Sequence, residues 1–210
     1  MKKIIVLLGF VFLNSIFIIA QTTLNVGTTQ TYTTISAAIV AANNGDTINI
    51  VDAVHSESGG STGILIDKSV IIKGQGADKT VIDGQGFGRI FYTSAANVII
   101  MDLTLQNGKA LDGAFNFGSP GENGQDGGAI YNDGSLIVRR CVLQNNSAGN
   151  GGDGSDGDPG NPGFQTGFPG VEDGMPGMPG FDGGNAGKGG AIYNAGDLYI
   201  KNSLFTNNTT

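Results

Sequence analysis

The sequence predicts an all-β chain that winds into a parallel β-helix, and its internal repeats are the main reason. The hexapeptide Gly-Gly-Ala-Ile-Tyr-Asn occurs twice, at Gly127–Asn132 and Gly189–Asn194. The segments that follow, Leu136–Asn146 and Leu198–Asn208, align without a gap 62 residues apart. A weaker copy, Val98–Asn107, aligns 38 residues before the first. One structural module that recurs with inserts of variable length explains this unequal spacing.

The repeated unit has the pattern of short strands. Each copy holds apolar triplets, rich in β-branched or aromatic residues, which Asn, Asp, Gly and cations separate. If the chain bends at Arg139-Arg140, one face carries Leu136, Val138, Cys141 and Leu143. Three strands per repeat, stacked about 4.8 Å from the strands of the next repeat, give a solenoid whose inward residues form columns.

The first twenty residues have the composition of a signal peptide. Lys2 and Lys3 form the basic start, Ile4–Leu13 is the apolar run, and Ala20 precedes the expected cleavage point. The alternative is a membrane anchor, but Asn14 and the following serine interrupt an apolar run that is too short to span a bilayer.

Residues 21–46 are predicted to cap the solenoid. Leu24 and Val26 alternate as in a short strand, and Ile35–Asn44 has helical spacing with Thr33, Thr34 or Ser36 as its N-cap. Such a cap covers the open edge of the first rung. Thr47–Val51 is then the first well-marked strand.

The rungs occupy residues 47–210, which with the cap form one domain, 21–210. Val54–Thr62 is predicted to be a polar loop in which His55, the only histidine, is exposed and has no Cys or His partners. The further predicted strands are Ile64–Ile66, Val70–Ile72, Val81-Ile82, Ile90–Tyr92, Val98–Ile100, Leu103–Leu105, Ala129–Tyr131, Leu136–Val138, Cys141–Leu143, Ala191–Tyr193, Leu198–Ile200 and Ser203–Phe205.

Two Gly-rich inserts, at about 108–126 and 147–188, contain all six prolines and leave the repeat at the same point. They are expected to project side by side from one flank. Glycine recurs at every third position, which suits the polyproline II conformation. Three interpretations remain open: a flexible, solvated loop, a packed bundle of polyproline II segments, and a collagen-like trimer whose frame is interrupted near Thr166 and Asp173.

The net charge and the cysteine content argue against several classes of function. The formal charge is −7, and loss of Lys2 and Lys3 with the leader leaves −9. This argues against nucleic acids, whose binders need basic patches, and against anionic membranes or pectin. The one cysteine, Cys141, has no partner for an internal disulfide and is predicted to be a small buried thiol.

At this point the residues resemble known families. Gly189–Ile192 together with Phe205 and Asn208 resembles the Gly-Gly-Ala-Ile…Phe-x-x-Asn repeat of polymorphic outer-membrane proteins, although the first copy has Leu143 in place of Phe. Tyr32–Gly108 resembles the N-terminal coils of right-handed β-helix proteins of the pectin-lyase-like superfamily. The resembling pieces are Tyr32–Ile35, Asn43–Ile48, Ile71–Gly76 and Val81–Gly84.

The resemblance implies a right-handed, single-stranded parallel β-helix. It does not decide activity, because the superfamily includes lyases, hydrolases, adhesins and proteins with no chemistry.

No pattern of catalytic residues stands out. Enzymes of this fold use clustered carboxylates, but Asp102 aligns with Arg140 and Asn202, and no second acid stacks on it. Arg139 and Arg140 fit a solvated bend. No local stretch resembles the active-site motifs of pectate lyases or polygalacturonases.

Two further features of the sequence are a partial calcium-binding motif and asparagines that are expected to stack. Gly151–Asp156 matches the start of a calcium-binding nonapeptide, but Asp158 stands at its hydrophobic position and the match is not in tandem. Asp153, Asp156 and Asp158 are therefore weak calcium candidates, and no other cofactor is indicated. Stacked amides are expected in two columns, one of Asn107, Asn145 and Asn207 and one of Asn132 and Asn194.

The leading functional hypothesis is a secreted or surface-exposed, non-enzymatic protein of adhesin type, or a structural protein, that presents its Gly-rich loops to a glycan or protein ligand. The alternative is a carbohydrate-active lyase or hydrolase whose catalytic rungs are missing. The chain stops at Thr210 directly after a predicted strand, so a C-terminally truncated protein is expected.

Overall fold

The computed structural model describes residues 20–94, 97–157, 159 and 177–210. The predicted signal peptide therefore lies, except for Ala20, outside the described residues. Fifteen strands and one short helix follow one another in the described part. In chain order they are β1 Thr23–Val26, α1 Ile35–Ala41, β2 Thr47–Ile50, β3 Val54–Ser56, β4 Ile64–Ile66, β5 Ile71–Lys73, β6 Val81–Asp83, β7 Phe91–Thr93, β8 Val98–Met101, β9 Thr104–Gln106, β10 Ile130–Asn132, β11 Ser135–Arg139, β12 Val142–Gln144, β13 Ile192–Asn194, β14 Asp197–Lys201 and β15 Leu204–Thr206.

The strands form three parallel sheets, and the chain visits each sheet once per turn, as in a parallel β-helix. The six-stranded sheet has the order β1-β2-β5-β8-β11-β14, the five-stranded sheet β15-β12-β9-β6-β3, and the four-stranded sheet β13-β10-β7-β4. The predicted fold class is thereby confirmed.

The predicted alignment of the repeats is also confirmed by the strand register. Leu136 pairs with Leu198, 62 residues later, and with Val98, 38 residues earlier. Because a one-residue slip would turn every inward side chain outward, these offsets fix the interior of the solenoid.

The core is a set of aliphatic columns inside the three sheets. Ile48, Ile72, Ile100 and Val138 lie in register in the six-stranded sheet, and each is fully buried. Burying such a side chain contributes roughly 1.5–3 kcal/mol. The predicted inward residues of β11 and β12, with Cys141 between them, are buried as well. Ile200 continues the column on β14, the edge strand of the described sheet, and is 42% exposed.

The corners of the solenoid explain why several strands begin one residue later than predicted. Asp102, Arg140 and Asn202 occupy the same corner and have φ values of +58°, +52° and +51°. Residues in this left-handed conformation turn the chain sharply. The buried residues that follow, Leu103 and Cys141, complete the turn, so strand pairing resumes only at β9 and β12.

Helix α1 covers the first rung, as the sequence predicts for a cap. Its inward residues Ile35, Ala38 and Ile39 are buried, and the helix contacts β1, β2 and β4. The Thr34 hydroxyl accepts a hydrogen bond from the Ala37 amide, which makes Thr34 the N-cap. The helix ends earlier than predicted because the backbone becomes extended at Ala42, with φ −69° and ψ 154°. Lys68 Nζ donates to the carbonyls of Ile39, Val40 and Ala42 at 2.7–2.9 Å and so satisfies this end of the helix.

The prediction of an exposed His55 in a loop is wrong. Residues 54–56 form β3, which pairs with β6, and His55 is only 5% exposed. His55 Nε2 lies 2.9 Å from Glu57 Oε2, and the Glu57 carboxylate accepts the amides of Ile35 and Ser36 at 2.6 and 3.1 Å. The polar residues of this segment favour a loop in the sequence, but they form an edge strand. Its middle residue, His55, contacts the Glu57 carboxylate that accepts the first amides of the helix.

The amide ladders are only partly where the sequence places them. Asn132 Nδ2 donates to Asn194 Oδ1 at 2.6 Å, as predicted. Asn107, Asn145 and Asn207 instead have φ values of +53° to +54°, which asparagine tolerates better than most residues, so their role is to turn the chain. The second ladder lies one residue later, where the buried Asn146 donates to Asn208 Oδ1 at 2.9 Å and accepts the Gly108 amide at 2.9 Å.

Across the described part of the chain, no helix combines the length and the apolar composition needed to cross a bilayer.

The two neighbouring asparagines 145 and 146 should respond oppositely to substitution. Asn146→Ala is expected to lower the free energy of unfolding by roughly 2–4 kcal/mol, since each buried group that loses its partner costs about 1–3 kcal/mol. Asn145→Gly should change it by less than about 0.5 kcal/mol, because glycine adopts a positive φ without strain. Urea unfolding followed by circular dichroism measures both, and equal losses would contradict the assigned roles.

Acid should loosen the helix cap through Glu57. Burial raises the pKa of this carboxyl, but hydrogen bonds from His55, Ser36 and Ile35 outweigh burial and hold the pKa below its ordinary value of 4.5. A depressed folded pKa gives stability that is present above the unfolded pKa and is lost as pH falls through the folded one.

Glu57→Gln should therefore cost about 1 kcal/mol near neutral pH, the usual value of a cap, and should flatten the fall in unfolding free energy below about pH 4.5. Asp67→Asn, which removes an exposed carboxylate, is the control. Parallel acid profiles for wild type and Glu57→Gln would refute the role of this side chain.

Candidate functional site

The Gly-rich inserts lie side by side and contain four extended segments: 110–117, 120–127, 147–157 and 177–188. The first two run antiparallel, with the Glu122 amide donating to Ala114 O at 3.0 Å and the Gln125 amide to Leu111 O at 2.8 Å. These two amides are three residues apart.

The same spacing recurs between the other segments. The Gly149 and Gly152 amides donate to Gln125 O and Glu122 O at 2.9 and 2.8 Å, joining the third segment to the second. The Gly184 and Gly187 amides donate to Gly152 O and Gly149 O, joining the fourth to the third. Lateral bonds with a period of three characterise polyproline II helices, which have three residues per turn and no internal hydrogen bonds.

The inserts are thus a packed bundle of polyproline II segments, which we call the glycine bundle. Of the three interpretations that the sequence leaves open, the described residues support this one and not the flexible loop. Asp158 and the stretch 160–176, which contains both interruptions of the collagen-like frame, lie outside the described residues.

Close approach of the segments explains why glycine recurs. A Cβ atom added to Gly184 would overlap the carbonyl of Glu122, and one added to Gly149 would overlap the carbonyl of Leu111. Gly124 meets the carbonyl of Gly149 in the same way. At these three positions no L side chain fits between the backbones, so glycine is required there.

Short polar side chains fasten the bundle at its base. Asp112 accepts the Asn150 amide at 2.7 Å, Asn123 accepts the Asn185 amide at 2.7 Å, and Asp126 accepts the Lys188 amide at 2.6 Å. The hydrogen bond from the Lys109 ammonium, followed by that from Asn150, lowers the pKa of Asp112. The Asp112 carboxylate therefore stays charged and bonded near neutral pH.

The far end of the bundle exposes a group of large apolar side chains, which we call the apolar tip. Phe117 is 92% exposed, and Phe115, Met178 and Phe181 are also exposed. Ser155 brings the two inserts together here, since its hydroxyl accepts the Gly118 amide at 3.1 Å and its carbonyl accepts the Phe181 amide at 2.9 Å. At about 3.1 Å per residue, the six steps from Leu111 to Phe117 place the tip roughly 20 Å from the solenoid.

Only negative charge surrounds the apolar tip. Asp153, Asp156 and Asp182 are exposed on the bundle. The sequence places Lys109 and Lys188 at its base and has no lysine or arginine in 110–126 or 148–187. The bundle is an acidic projection with an apolar end.

The weak calcium candidates do not converge in what the structure describes. Asp153 and Asp156 are exposed on the third segment, and Asp158 is not among the described residues. Within residues 20–94, 97–157, 159 and 177–210, no three His, Cys, Asp or Glu side chains come close enough together to hold a metal ion.

The residues considered for catalysis have structural partners. Asp102 accepts two bonds from the Arg140 guanidinium at 2.6 and 2.7 Å, and these bonds lower the pKa of Asp102. Arg140 is therefore half of an ion pair rather than a freely solvated side chain. Cys141 is buried, as predicted, and burial raises the pKa of its thiol to about 11. A protonated, buried thiol is a poor nucleophile.

Sequence reasoning missed the residues of the apolar tip. A signal was available, because Phe115, Phe117 and Phe181 stand in glycine-rich stretches where no inward column exists to receive them. Aromatic side chains in such a context have no core to enter and are candidates for contact with a partner.

Comparison with known proteins finds limited similarity. The chain is 31% identical over 108 residues to the metabotropic glutamate receptor-like protein P of Dictyostelium discoideum; these residues are 50% of this chain and 7% of that protein. The match thus spans a small fraction of that relative's length. No protein-family model matches the chain, and no solved structure matches it significantly.

Neighbouring glycines of the bundle give a matched test of its packing. Gly184→Ala should open the bundle, because the new methyl group meets the Glu122 carbonyl; overpacking of this kind costs about 1–3 kcal/mol. Gly183→Ala should be tolerated, since its methyl group lies 3.2 Å from Gly152 O on an exposed side.

Hydrogen exchange provides the measurement. In Gly184→Ala the amides of Gly152 and Gly187 should lose protection while those of β8 and β11 keep it. The packed bundle is wrong if both variants exchange like the wild type.

Proposed function

We propose that this chain is an exported, non-enzymatic β-helix repeat protein that acts as an adhesin-like display module. The glycine bundle presents the apolar tip to a surface partner, and the solenoid serves as its scaffold. The observation that supports this most directly is the pairing of an ordered projection with large apolar side chains that are exposed in the described part of the chain.

An exposed phenylalanine at the end of a rigid arm favours binding over packing. Exposed apolar patches rimmed by polar groups often mark interaction sites. A tip held by lateral hydrogen bonds also loses little conformational freedom when a partner docks, which lowers the entropic cost of association. The acidic flanks favour a partner that carries cationic groups around an apolar patch.

The finer family assignment belongs to this proposal. We propose membership of the pectin-lyase-like superfamily with repeats of the polymorphic outer-membrane protein type. The Gly-Gly-Ala-Ile residues support it because Gly128 stacks on Gly190, where a Cβ atom would overlap the Gly190 carbonyl, and Ala129 and Ala191 are buried. The leader, residues 1–20, would direct the chain to the cell surface, the outer membrane or the medium.

A substitution in the apolar tip should weaken attachment without lowering the stability of the fold. Phe117→Ser should weaken attachment to the surface partner at least tenfold, because a buried phenylalanine at an interface contributes roughly 1.5–3 kcal/mol. Phe87→Ser, on a solenoid turn, is the matched control, since Phe87 is also a largely exposed phenylalanine. Both variants should unfold like the wild type.

The assay measures adhesion of beads that carry the purified protein to arrays of immobilised glycans and extracellular proteins. Adhesion that Phe117→Ser abolishes and Phe87→Ser preserves would support display by the tip. Soluble polysaccharides incubated with the protein test the alternative: new reducing ends or unsaturated uronide products would indicate a hydrolase or a lyase instead.

A further inference from the structure

A ladder of three tyrosines covers the outer face of the four-stranded sheet. Tyr92, Tyr131 and Tyr193 lie in register on β7, β10 and β13. Their ring centroids are 5.4 and 5.0 Å apart, with interplanar angles of 49° and 36°. All three side chains are half-buried, so they line the surface without contributing to the core.

Arg89 lies at the edge of this ladder and is held by backbone alone. It is 6% exposed, and its guanidinium carbon lies 5.1 Å from the centroid of the Tyr131 ring. Its nitrogens donate to the carbonyls of Gly127, Thr62 and Asp126 at 3.0, 3.0 and 2.5 Å. Three of the five guanidinium N–H groups are thus used, and among the described residues no carboxylate forms a salt bridge with Arg89.

The glycine bundle and the tyrosine ladder enclose a hollow between them. Its volume is about 330 Å³, and it is lined by Arg89, Tyr92, Gly124, Gln125, Asp126 and Tyr131. This volume falls within the range of roughly 300–1,000 Å³ in which small-molecule sites lie. The bundle supplies one wall and the sheet supplies the other, so the hollow requires both.

A second, more open hollow lies beyond the other side of the ladder. It measures about 550 Å³, and its walls include Ser94, Ser135, Asp133 and Asp197. The Tyr92 hydroxyl lies 3.5 Å from Asp133 Oδ2, which connects the ladder to this side. The tyrosines therefore form a ridge with polar side chains on both flanks.

We propose that the tyrosine ladder and its flanking hollows bind a neutral glycan chain that lies along the solenoid axis. Sugars present hydroxyl groups that need donors and acceptors together, and apolar C–H faces that contact aromatic rings. Phenol, carboxamide and carboxylate groups beside aromatic carbon supply this combination.

Charge selects a neutral ligand over an acidic one. The lining of the first hollow includes one cation, Arg89, and one anion, Asp126, so its formal charges sum to zero. Asp133 and Asp197 make the second hollow negative, which disfavours uronate or sulfate groups. Burial raises the pKa of the Tyr131 phenol, so this hydroxyl keeps its proton and remains a donor.

The regular spacing of the tyrosine ladder suits a polymeric ligand. Successive tyrosines follow the rung spacing of about 4.8 Å, so equivalent contacts recur along the axis as sugar units recur along a glycan. This site lies at the base of the bundle, apart from Phe117, and it stands or fails independently of the proposed display function.

Isothermal titration calorimetry of the purified protein provides the test. The probes are cellohexaose, mannohexaose, laminarihexaose and, as the acidic comparison, trigalacturonate. At least one neutral hexasaccharide should bind, and trigalacturonate should bind at least tenfold more weakly. Tyr131→Ala and Gln125→Ala should each reduce the affinity at least tenfold, without change in the thermal midpoint for Gln125→Ala.

Two controls separate this site from other surfaces. Tyr199→Ala removes an exposed tyrosine from the outer face of the six-stranded sheet and should leave glycan affinity unchanged. Phe117→Ser should also leave it unchanged, so that loss of adhesion without loss of glycan binding concerns the tip alone. The proposal is overturned if no neutral hexasaccharide binds, if trigalacturonate binds as tightly, or if Tyr199→Ala weakens binding as much as Tyr131→Ala.

Discussion

The structure depends on lateral backbone hydrogen bonding between successive turns of the chain at fixed sequence offsets. Among the repeated strands β8–β15 the offsets are 38 and 62, as in the pairing of Leu136 with Val98 and with Leu198, whereas earlier turns pair at shorter offsets, such as 24 between Thr23 and Thr47. The same offsets continue into the inserts, where Asp112 accepts the Asn150 amide 38 residues later and Asn123 accepts the Asn185 amide 62 residues later. The glycine bundle is therefore an outward extension of the rungs and keeps their register.

Two backbone geometries satisfy that single constraint. In the rungs, β-strands pair in plane and side chains alternate between the columns and the solvent. In the bundle, segments with three residues per turn direct their amides to more than one neighbour: Gly124 donates to the fourth segment and Gln125 to the first. The second geometry buries no apolar column, so backbone hydrogen bonds and close glycine contacts must stabilise it.

This difference explains how much the sequence could predict. Gapless repeats report register directly, so the fold class, the offsets of 38 and 62 and the inward residues of β11 and β12 followed from it. The period of three in the inserts left several interpretations open, because it gives the local conformation and not the neighbour. The hydrogen bond from the Gly149 amide to Gln125 O joins residues 24 apart, which neither repeat offset predicts, so the repeats do not report this neighbour.

The errors concerned residues whose role depends on a corner or an edge. Asn145 and Asn146 look equivalent in sequence, but only the first has a positive φ, and only the second faces inward. His55 stands among polar residues, yet the pairing of β3 with β6 turns it toward the helix cap. In both cases the backbone conformation determines whether the side chain points inward, and the residue type alone does not predict this.

The two candidate binding surfaces depend on different parts of this architecture. The apolar tip needs the bundle to be rigid along its whole length, since a frayed arm would let Phe117 collapse onto nearby backbone. The hollow beside Tyr131 needs only the base of the bundle, where Asp126 accepts hydrogen bonds from the Arg89 guanidinium and from the Lys188 amide. Local opening at the far end would therefore remove the apolar tip and leave the hollow beside Tyr131. The base is more stable because the buried Arg89 guanidinium would lose three hydrogen bonds to carbonyl groups if it opened.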